Sequence, residues 1–179
     1  MSTIRRCADD EHAAILGIVN AAAERYRGVI PPECWHEPYM DARQLAADID
    51  AGVIFWGFED DAGQLVGVMG VQRVKDVTLI RHAYVRPGQQ GSGIGSRLLR
   101  HLESPASDAS ILIGTWAQAT WAIRFYQGHG YSLVPPQETP ALLRTYWNIP
   151  ARQLETSVVL VKPTMRGIDR AGDVGEATT

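Results

Sequence analysis

A glycine-rich segment between a predicted strand and a predicted helix is the strongest chemical signal in the sequence. Gly91, Gly93 and Gly95 stand directly before apolar residues that recur at helical spacing. Glycine lets a ligand approach the backbone closely, and the first N–H groups of a helix, at its positive dipole end, attract anions. The segment therefore predicts a pyrophosphate site made of backbone amides, with Arg97 and Arg100 near enough to assist from the helix.

Three other interpretations of these glycines compete with a pyrophosphate site. A Walker A loop requires Gly-Lys-Ser/Thr, and the chain has only Lys75 and Lys162. A dinucleotide fingerprint requires a third glycine where Ser96 stands, and an early position in a βαβ unit. A tight turn with no ligand stays open on the glycines alone, because short Gly-x-Gly patterns also occur without a function.

The surrounding residues predict the elements that position this segment. One amphipathic helix is capped by Asp9 or Asp10 and ends before Gly28, and a second begins at Asp41 and is stopped by Gly52. An antiparallel meander of three strands follows, and helices and strands then alternate. This order predicts an α+β or mixed α/β fold: a mixed, largely antiparallel sheet with helices on both faces. The predicted strands are an optional 3–6, then 53–58, 65–74, 77–85, 111–116, 131–134 and 156–161, and the later helices are 91–102 and 121–129.

Three stretches lack the periodicity of a helix or a strand. Residues 29–40 combine three prolines with Trp35, His36 and Tyr39, which predicts a loop that covers something rather than an idle linker. Leu142–Trp147 belong to a proline-rich excursion before the last strand. Residues 163–179 have three glycines, mixed charges and few large apolar side chains, so they are predicted to form a flexible tail. Residues 1–162 are predicted to form a single domain.

Composition narrows the class of protein. The chain has 179 residues, 45% of them hydrophobic, and a formal net charge of −3, so it has no basic field that would draw it onto nucleic acid. Fifteen of the 17 cationic residues are arginine, a skew better explained by bulk residue usage than by site geometry. No stretch approaches the ~20 apolar residues of a membrane span. Cys7 and Cys34 are too few for a disulfide framework, which predicts a reduced, cytoplasmic protein.

The glycine-rich segment resembles a known family motif. Val85, Pro87, Gln90, Gly93 and Gly95 match the acetyl-CoA-binding motif of the GNAT superfamily of N-acetyltransferases, Gln/Arg-x-x-Gly-x-Gly/Ala preceded by a strand.

A second motif downstream makes the resemblance far more specific than either motif alone. Ala122, Phe125, Tyr126, Gly130 and Tyr131 are similar to the superfamily's Ala-x-x-Phe-Tyr-x-x-x-Gly-Phe/Tyr helix, after the expected strand. With the order of elements, the resemblance covers residues 3–161.

The resemblance implies acetyl transfer from acetyl-CoA, the co-substrate, to an amine, without a covalent enzyme intermediate. The backbone at Val85 would hold the thioester carbonyl and the pantetheine arm. Ala119 stands where many members have an asparagine that assists pantetheine, so the adjacent Gln118 is the candidate substitute. Tyr126 would protonate the departing thiolate, since a thiol of pKa about 8.5 leaves better when protonated, whereas a packed ring is its structural alternative. The residues whose amides would hold the pyrophosphate are Gln90, Gly91, Ser92, Gly93, Ile94, Gly95 and Ser96.

The base and the acceptor site are less well defined by the sequence. An ammonium acceptor must lose a proton, and the strand 77–85 lacks the glutamate that several members have there, so His82 is the candidate base. His82 would face the acceptor only if a bulge changes the alternation, and a structural histidine is the alternative. Arg81 would favour a carboxylate-bearing acceptor such as an amino acid, or else form a salt bridge. Trp35 and Tyr26 would form the opposite wall.

Two other functions stay open at this point. A GNAT-like module that binds acyl-CoA without catalysis fits the missing glutamate, whereas the retained Tyr126 favours an enzyme. A protein acetyltransferase requires an open peptide groove, which residues 29–40 are predicted to close. The expected partner is a small-molecule amine, with no nucleic acid, membrane or metal, and the resemblance is compatible with a homodimer.

Overall fold

A single mixed sheet of seven strands organises the computed structural model, which describes residues 1–104 and 109–163. Its strand order is β1-β2-β3-β4-β5-β7-β6, and only the β4–β5 pair is parallel, so the predicted mixed, largely antiparallel sheet is confirmed. The strands are β1 (Thr3–Arg6), β2 (Ile54–Glu59), β3 (Leu65–Val74), β4 (Val77–Val85), β5 (Ile111–Trp116), β6 (Ser132–Leu133) and β7 (Ser157–Lys162).

Helices cover both faces of the sheet because each buries an apolar stripe against it. The helices are α1 (His12–Ala23), α2 (Ala42–Asp50), α3 (Ile94–Glu103), α4 (Thr120–Gln127), α5 (Thr139–Tyr146) and α6 (Ala151–Glu155). Apolar residues of α3 and α4 form one core with the sheet, and those of α1 and α2 form a second core. Helix α5 packs against β4, β5 and β7.

Helix ends show where local sequence signals worked and where they did not. The second helix starts at Asp41 as predicted, and Asp41 is its N-cap, since its side chain accepts a hydrogen bond from the Gln44 amide at 2.8 Å. The prediction that Asp9 or Asp10 caps the first helix is wrong: a 3₁₀ turn, Asp9–Glu11, precedes α1, which has no side-chain cap. The Glu11 carboxylate instead accepts from the Ala8 amide at 2.7 Å.

Helices α5 and α6 were not predicted, because four prolines between residues 135 and 150 suggested an irregular excursion. Pro140 lies in the first turn of α5, where its missing N–H costs nothing, and Pro150 stands just before α6. Proline therefore marks helix starts in this segment rather than the absence of helices.

Strands β4 and β5 separate after three paired residues. Thr78–Ile80 pair with Ile111–Ile113, and beyond them the two strands share no further register. A β-bulge interrupts β4 at His82, whose φ of 51° lies in the left-handed region. The bulge changes the alternation, so that Ala83 contacts the core of α3 and α4, and Tyr84 contacts the core of α1 and α2. The divergence of the strands opens the middle of the sheet.

No helix within the described residues is long and apolar enough to cross a membrane. Within the same ranges, no group of three or more His, Cys, Asp or Glu side chains is placed to hold a metal ion. Cys7 and Cys34 are both free thiols. The predicted tail, apart from Pro163, lies outside the described residues.

Candidate active site

Two cavities meet where β4 and β5 diverge. The first, here named the loop cavity, has a volume of about 460 Å³ and includes the glycine segment and α4 in its wall. The second, here named the aromatic cavity, has a volume of about 370 Å³ and lies between the loop 29–40 and the segment that joins α5 to α6. Both are lined by Tyr26, Ile80, Arg81, His82, Tyr84, Gly114 and Thr115.

The glycine segment presents free backbone amides to the loop cavity. Gly93 precedes α3 with a φ of +85°, which a glycine adopts without the steric cost that other residues pay. The first helical bond runs from the Arg97 amide to the Gly93 carbonyl at 3.0 Å, so the amides of the first turn have no partner within the helix. A Cβ on Gly95 would lie 3.4 Å from Phe125 of α4, which shows how closely α3 and α4 approach. The segment can therefore bind an anion through its backbone.

The predicted cofactor residues divide into two groups by position. Val85, Gln90, Gly91, Gly93, Gly95 and Ser96 line the loop cavity. Ile94 is instead buried in the core, the Ser92 hydroxyl donates to the Gln89 carbonyl at 2.5 Å, and neither side chain lines this cavity. Gln118 is exposed and lines neither cavity.

The two arginines of α3 do not face the loop cavity. The Arg97 guanidinium lies 4.6 Å from the centre of the Phe58 ring and donates to the Ser2 hydroxyl at 3.2 Å. Arg100 is exposed on the surface of α3 and does not line the cavity either. Neither side chain therefore contributes to the wall of the loop cavity, and their expected role beside an anion stays a prediction.

Tyr126 of α4 lines the loop cavity and is 7% exposed. Its ring packs 5.1 Å from that of Phe125 and 5.8 Å from that of Tyr131. Burial raises the pKa of Tyr126 well above the usual value of a phenol, and the nearby Tyr26 adds to the rise. The hydroxyl thus stays protonated at neutral pH, as a proton donor in this cavity requires.

His82 and Arg81 both face a carboxylate on α2. Nε2 of His82 lies 2.9 Å from Oδ2 of Asp48, and Nη2 of Arg81 lies 3.2 Å from Oδ1. Arg81 also donates to the side chain of Gln72 at 3.0 Å. Burial raises the pKa of Asp48, but His82 and Arg81 outweigh it and leave that pKa below the usual value. Both predicted residues reach the junction of the cavities, and Arg81 is already in an ion pair.

Tyrosine side chains fill the junction between the cavities. The Tyr26 ring lies 5.6 Å from that of Tyr39 and 6.4 Å from that of Tyr84. Tyr39 accepts a hydrogen bond from the Trp116 indole at 3.1 Å. The Trp35 ring lies 5.6 Å from that of Tyr39 but lines neither cavity. Tyr26 thus lies in the wall of both cavities, whereas Trp35 lies behind Tyr39.

Sequence reasoning missed several residues of the site. Trp121 lines the loop cavity, and Trp116 and Trp147 line the aromatic cavity, and none of the three was among the predicted site residues. Asp48 was missed because an acid on an amphipathic helix is usually solvated. A signal existed, since Asp48 follows Leu45 by three residues and so shares the buried face of α2.

Comparison with known proteins agrees with the fold and with the glycine segment. Residues 51–133, from just before β2 to the end of β6, match the family model of the acetyltransferase (GNAT) domain. No match was found among curated protein sequences.

Solved structures share the fold at low sequence identity. A PaiA N-acetyltransferase from Thermoplasma acidophilum, in complex with coenzyme A, has a TM-score of 0.69 at 15% identity over 91% of this chain and 99% of its own. The ribosomal-protein-S18-alanine N-acetyltransferase from Escherichia coli has a TM-score of 0.66 at 18% identity over 100% and 99%. An N-acetylglutamate synthase from Neisseria gonorrhoeae, complexed with coenzyme A and N-acetyl-glutamate, has a TM-score of 0.63 at 19% identity over 93% of this chain and 36% of its own. Residues 51–133 therefore match a GNAT acetyltransferase domain, and the described residues have the fold of these acetyltransferases.

Proposed function

We propose that this protein transfers an acetyl group from acetyl-CoA to the primary amine of a small molecule by direct attack within a ternary complex. The observation that carries the proposal is the junction of the loop cavity and the aromatic cavity at the divergence of β4 and β5. Two substrates that enter from separate cavities can meet there without a covalent enzyme intermediate.

Acetyl-CoA is assigned to the loop cavity. The pyrophosphate would accept hydrogen bonds from the amides of the segment 90–96, where a helix dipole supplies the favourable potential without a net positive charge. The carbonyl of Val85 already accepts a hydrogen bond from the Gln90 side chain at 3.1 Å, and its second lone pair remains for the pantetheine arm. Structural relatives in complex with coenzyme A support this assignment.

The reaction needs one proton acceptor and one proton donor. His82 would take a proton from the ammonium, and the free amine would then attack the thioester carbon, forming the C–N bond. The C–S bond breaks with its electron pair on sulfur, and Tyr126 donates a proton to that thiolate while the second proton of the amine returns to the phenolate through solvent. The products are the amide, the CoA thiol and one proton released from His82 to water.

The aromatic cavity is assigned to the acceptor. Its volume and its walls of Tyr39, Trp116 and Trp147 suit a small, partly apolar amine. A carboxylate on the acceptor, as in an amino acid, would have to share Arg81 with Asp48 at 3.2 Å. The loop 29–40 is joined to α6 by an ion pair of 2.7 Å between Glu33 and Arg152, which leaves little room for a protein chain. A small molecule is therefore the better acceptor.

The test is release of CoA with acetyl-CoA and a panel of amines that includes amino acids, their decarboxylated forms, aromatic amines and a peptide. Amine-dependent release that falls about 100-fold in Tyr126→Phe would support catalysis. Tyr131→Phe is the matched control, since its hydroxyl binds Glu103 at 2.9 Å and does not line either cavity. Binding of acetyl-CoA without turnover on any amine would favour a non-catalytic acyl-CoA module. Turnover on the peptide alone would favour a protein acetyltransferase.

The predictions of a homodimer and of a cytoplasmic protein stay predictions. Sedimentation of the purified protein tests the first, and localisation of a tagged chain tests the second.

A further inference from the structure

His82 has the most unusual backbone conformation among the residues that line both cavities. Its φ of 51° is unfavourable for a residue with a Cβ, and such strain persists only where surrounding contacts impose it. Here the contacts are identifiable. The imidazole stacks on Phe55 of β2 with ring centres 5.7 Å apart, and its Nε2 approaches Asp48 of α2.

Asp48 is a buried carboxylate with three polar neighbours. Its side chain is 7% exposed, and its Oδ2 lies 2.9 Å from Nε2 of His82 and 3.3 Å from Nε2 of Gln44. The distance from Nε2 to Oδ2 is short, although the ring N–H is not aligned with the carboxylate for a hydrogen bond. A buried charge of this kind is costly unless it is paired, so the position of Asp48 depends on His82 and Arg81.

One nitrogen of the imidazole is therefore buried against a carboxylate, and only the other can serve a ligand. Nε2 is fully buried, whereas the residue as a whole lines both cavities. A carboxylate beside Nε2 favours the tautomer with the proton on Nε2, which leaves the lone pair on Nδ1.

We propose that Asp48 is a positioning residue that holds His82 in the Nε2–H tautomer, so that Nδ1 is the atom that receives the proton of the acceptor ammonium. This inference rests on the proposed function. In the step, the N–H bond of the ammonium breaks and an Nδ1–H bond forms, and the imidazolium that results carries protons on both nitrogens beside the Asp48 carboxylate. The carboxylate stabilises that cation while it keeps its own charge.

Other charged or titratable groups lie near His82 in the walls of the two cavities. Arg81 is adjacent on β4 and binds the other oxygen of Asp48, so it opposes the cation on His82 while it holds the carboxylate in place. From the 3₁₀ turn that follows α1, Arg25 and Tyr26 line the loop cavity with His82, as does Tyr126 of α4. Tyr84 of β4 lines both cavities. From the other elements, the aromatic cavity is lined by Tyr39, His36, Glu33, Cys34 and Arg152.

The first experiment measures the tautomer directly, with ¹⁵N-histidine-labelled protein and His82→Gln to assign the signal. We expect the Nε2–H tautomer in the wild-type protein at high pH. In Asp48→Asn we expect a change towards the Nδ1–H tautomer, because the asparagine amide can donate to Nε2. Nδ1–H in the wild-type protein would overturn the inference. This measurement needs no turnover, so it decides the role of Asp48 even if the amine panel shows no acetylation and the proposed function fails.

The second experiment is a double-mutant cycle on an amine that is turned over. Asp48→Asn is expected to lower kcat about 100-fold with the KM for acetyl-CoA within about twofold. In the His82→Gln background it should cause no further loss, because it acts through His82. Asp50→Asn, the same change on an exposed residue of the same helix, is the matched control and should leave kcat unchanged. A loss of the same size in both backgrounds would show that Asp48 acts only through stability and would contradict the inference.

Discussion

The loop cavity and the aromatic cavity meet at one junction, yet they are built in opposite ways. The glycine segment of the loop cavity offers main-chain amides at the start of α3, and Gly93 supplies the conformation that exposes them. The aromatic cavity depends on side chains from distant parts of the chain, held by two ion pairs: Asp48 with Arg81 at 3.2 Å, and Glu33 with Arg152 at 2.7 Å.

The difference separates the part of the site that binds a common cofactor from the part that selects one acceptor. A cofactor common to many enzymes can be bound by backbone groups that no side-chain substitution removes. An acceptor is selected by side chains, which can change one at a time and which respond to pH and salt. We therefore expect cofactor binding to be lost when a substitution alters the backbone conformation or the charge of the glycine segment, and changes around the aromatic cavity to have graded effects on the acceptor.

The largest effect is expected for Gly93→Asp. The aspartate would have to adopt a φ of +85° and would bring a negative charge to the proposed pyrophosphate site. Its Cβ meets no atom within 4 Å, so any loss does not come from a clash. Affinity for acetyl-CoA, measured by calorimetry, should fall at least about 100-fold.

The matched control for this variant is Gly63→Asp. Gly63 also has a positive φ, of +75°, with open space around its Cβ, but lies in the turn between β2 and β3 and lines neither cavity. Both variants should lose about 1 kcal/mol of stability from backbone strain. If Gly93→Asp kept its affinity for acetyl-CoA, the assignment of the loop cavity to the cofactor would be wrong.

The next effect concerns the pH dependence of stability through Asp48. Its folded-state pKa is lowered, so its contribution is complete above the unfolded value of about 3.9 and is lost as pH falls through the lower folded value. At pH 6 the wild-type protein should be more stable than Asp48→Asn by about 3 kcal/mol, because the asparagine leaves Arg81 without its carboxylate. Urea unfolding from pH 6 to pH 3 should show this difference shrinking below pH about 4. A difference that is constant over this range would exclude the ionised pair as its cause.

The same contrast explains which features of the fold and of the site could be predicted from the sequence. Local patterns located β3, β4 and β5 at the bounds that the structure has, and the amide segment needs only neighbouring residues. The bulge at His82 depends on the register between β3 and β4, which no local pattern specifies. Asp48 reaches His82 only after α2 packs on the sheet, and α5 was hidden by Pro140. Sequence patterns therefore located the strands and the glycine segment beside the loop cavity and left the aromatic cavity largely undefined.

A smaller effect is expected for Tyr39→Phe. The variant removes the acceptor of the Trp116 indole N–H, whose hydrogen bond is 3.1 Å long, and so leaves the donor of a buried side chain unpaired. The free energy of unfolding should fall by about 1 kcal/mol, and the KM for the acceptor should rise while acetyl-CoA affinity stays constant. Tyr146→Phe is the control, since its hydroxyl binds Asp76 at 2.9 Å on the surface. An equal rise in the KM for acetyl-CoA would mean that the two cavities are not independent.

The smallest effect is expected for the ion pair that spans the aromatic cavity. Arg152 binds Glu33 of the loop 29–40 at 2.7 Å and Glu155 of its own helix at 3.2 Å, and all three side chains are half exposed. Glu33→Gln removes the contact between the loop and α6, whereas Glu155→Gln removes the same charge from the same partner without crossing the cavity. Only Glu33→Gln should raise the KM for the acceptor, by about twofold, and 0.5 M salt should cancel the rise by screening the pair in the wild-type protein as well. Equal effects of the two variants would mean that the charge of Arg152 matters to the acceptor and that the bridge across the cavity does not.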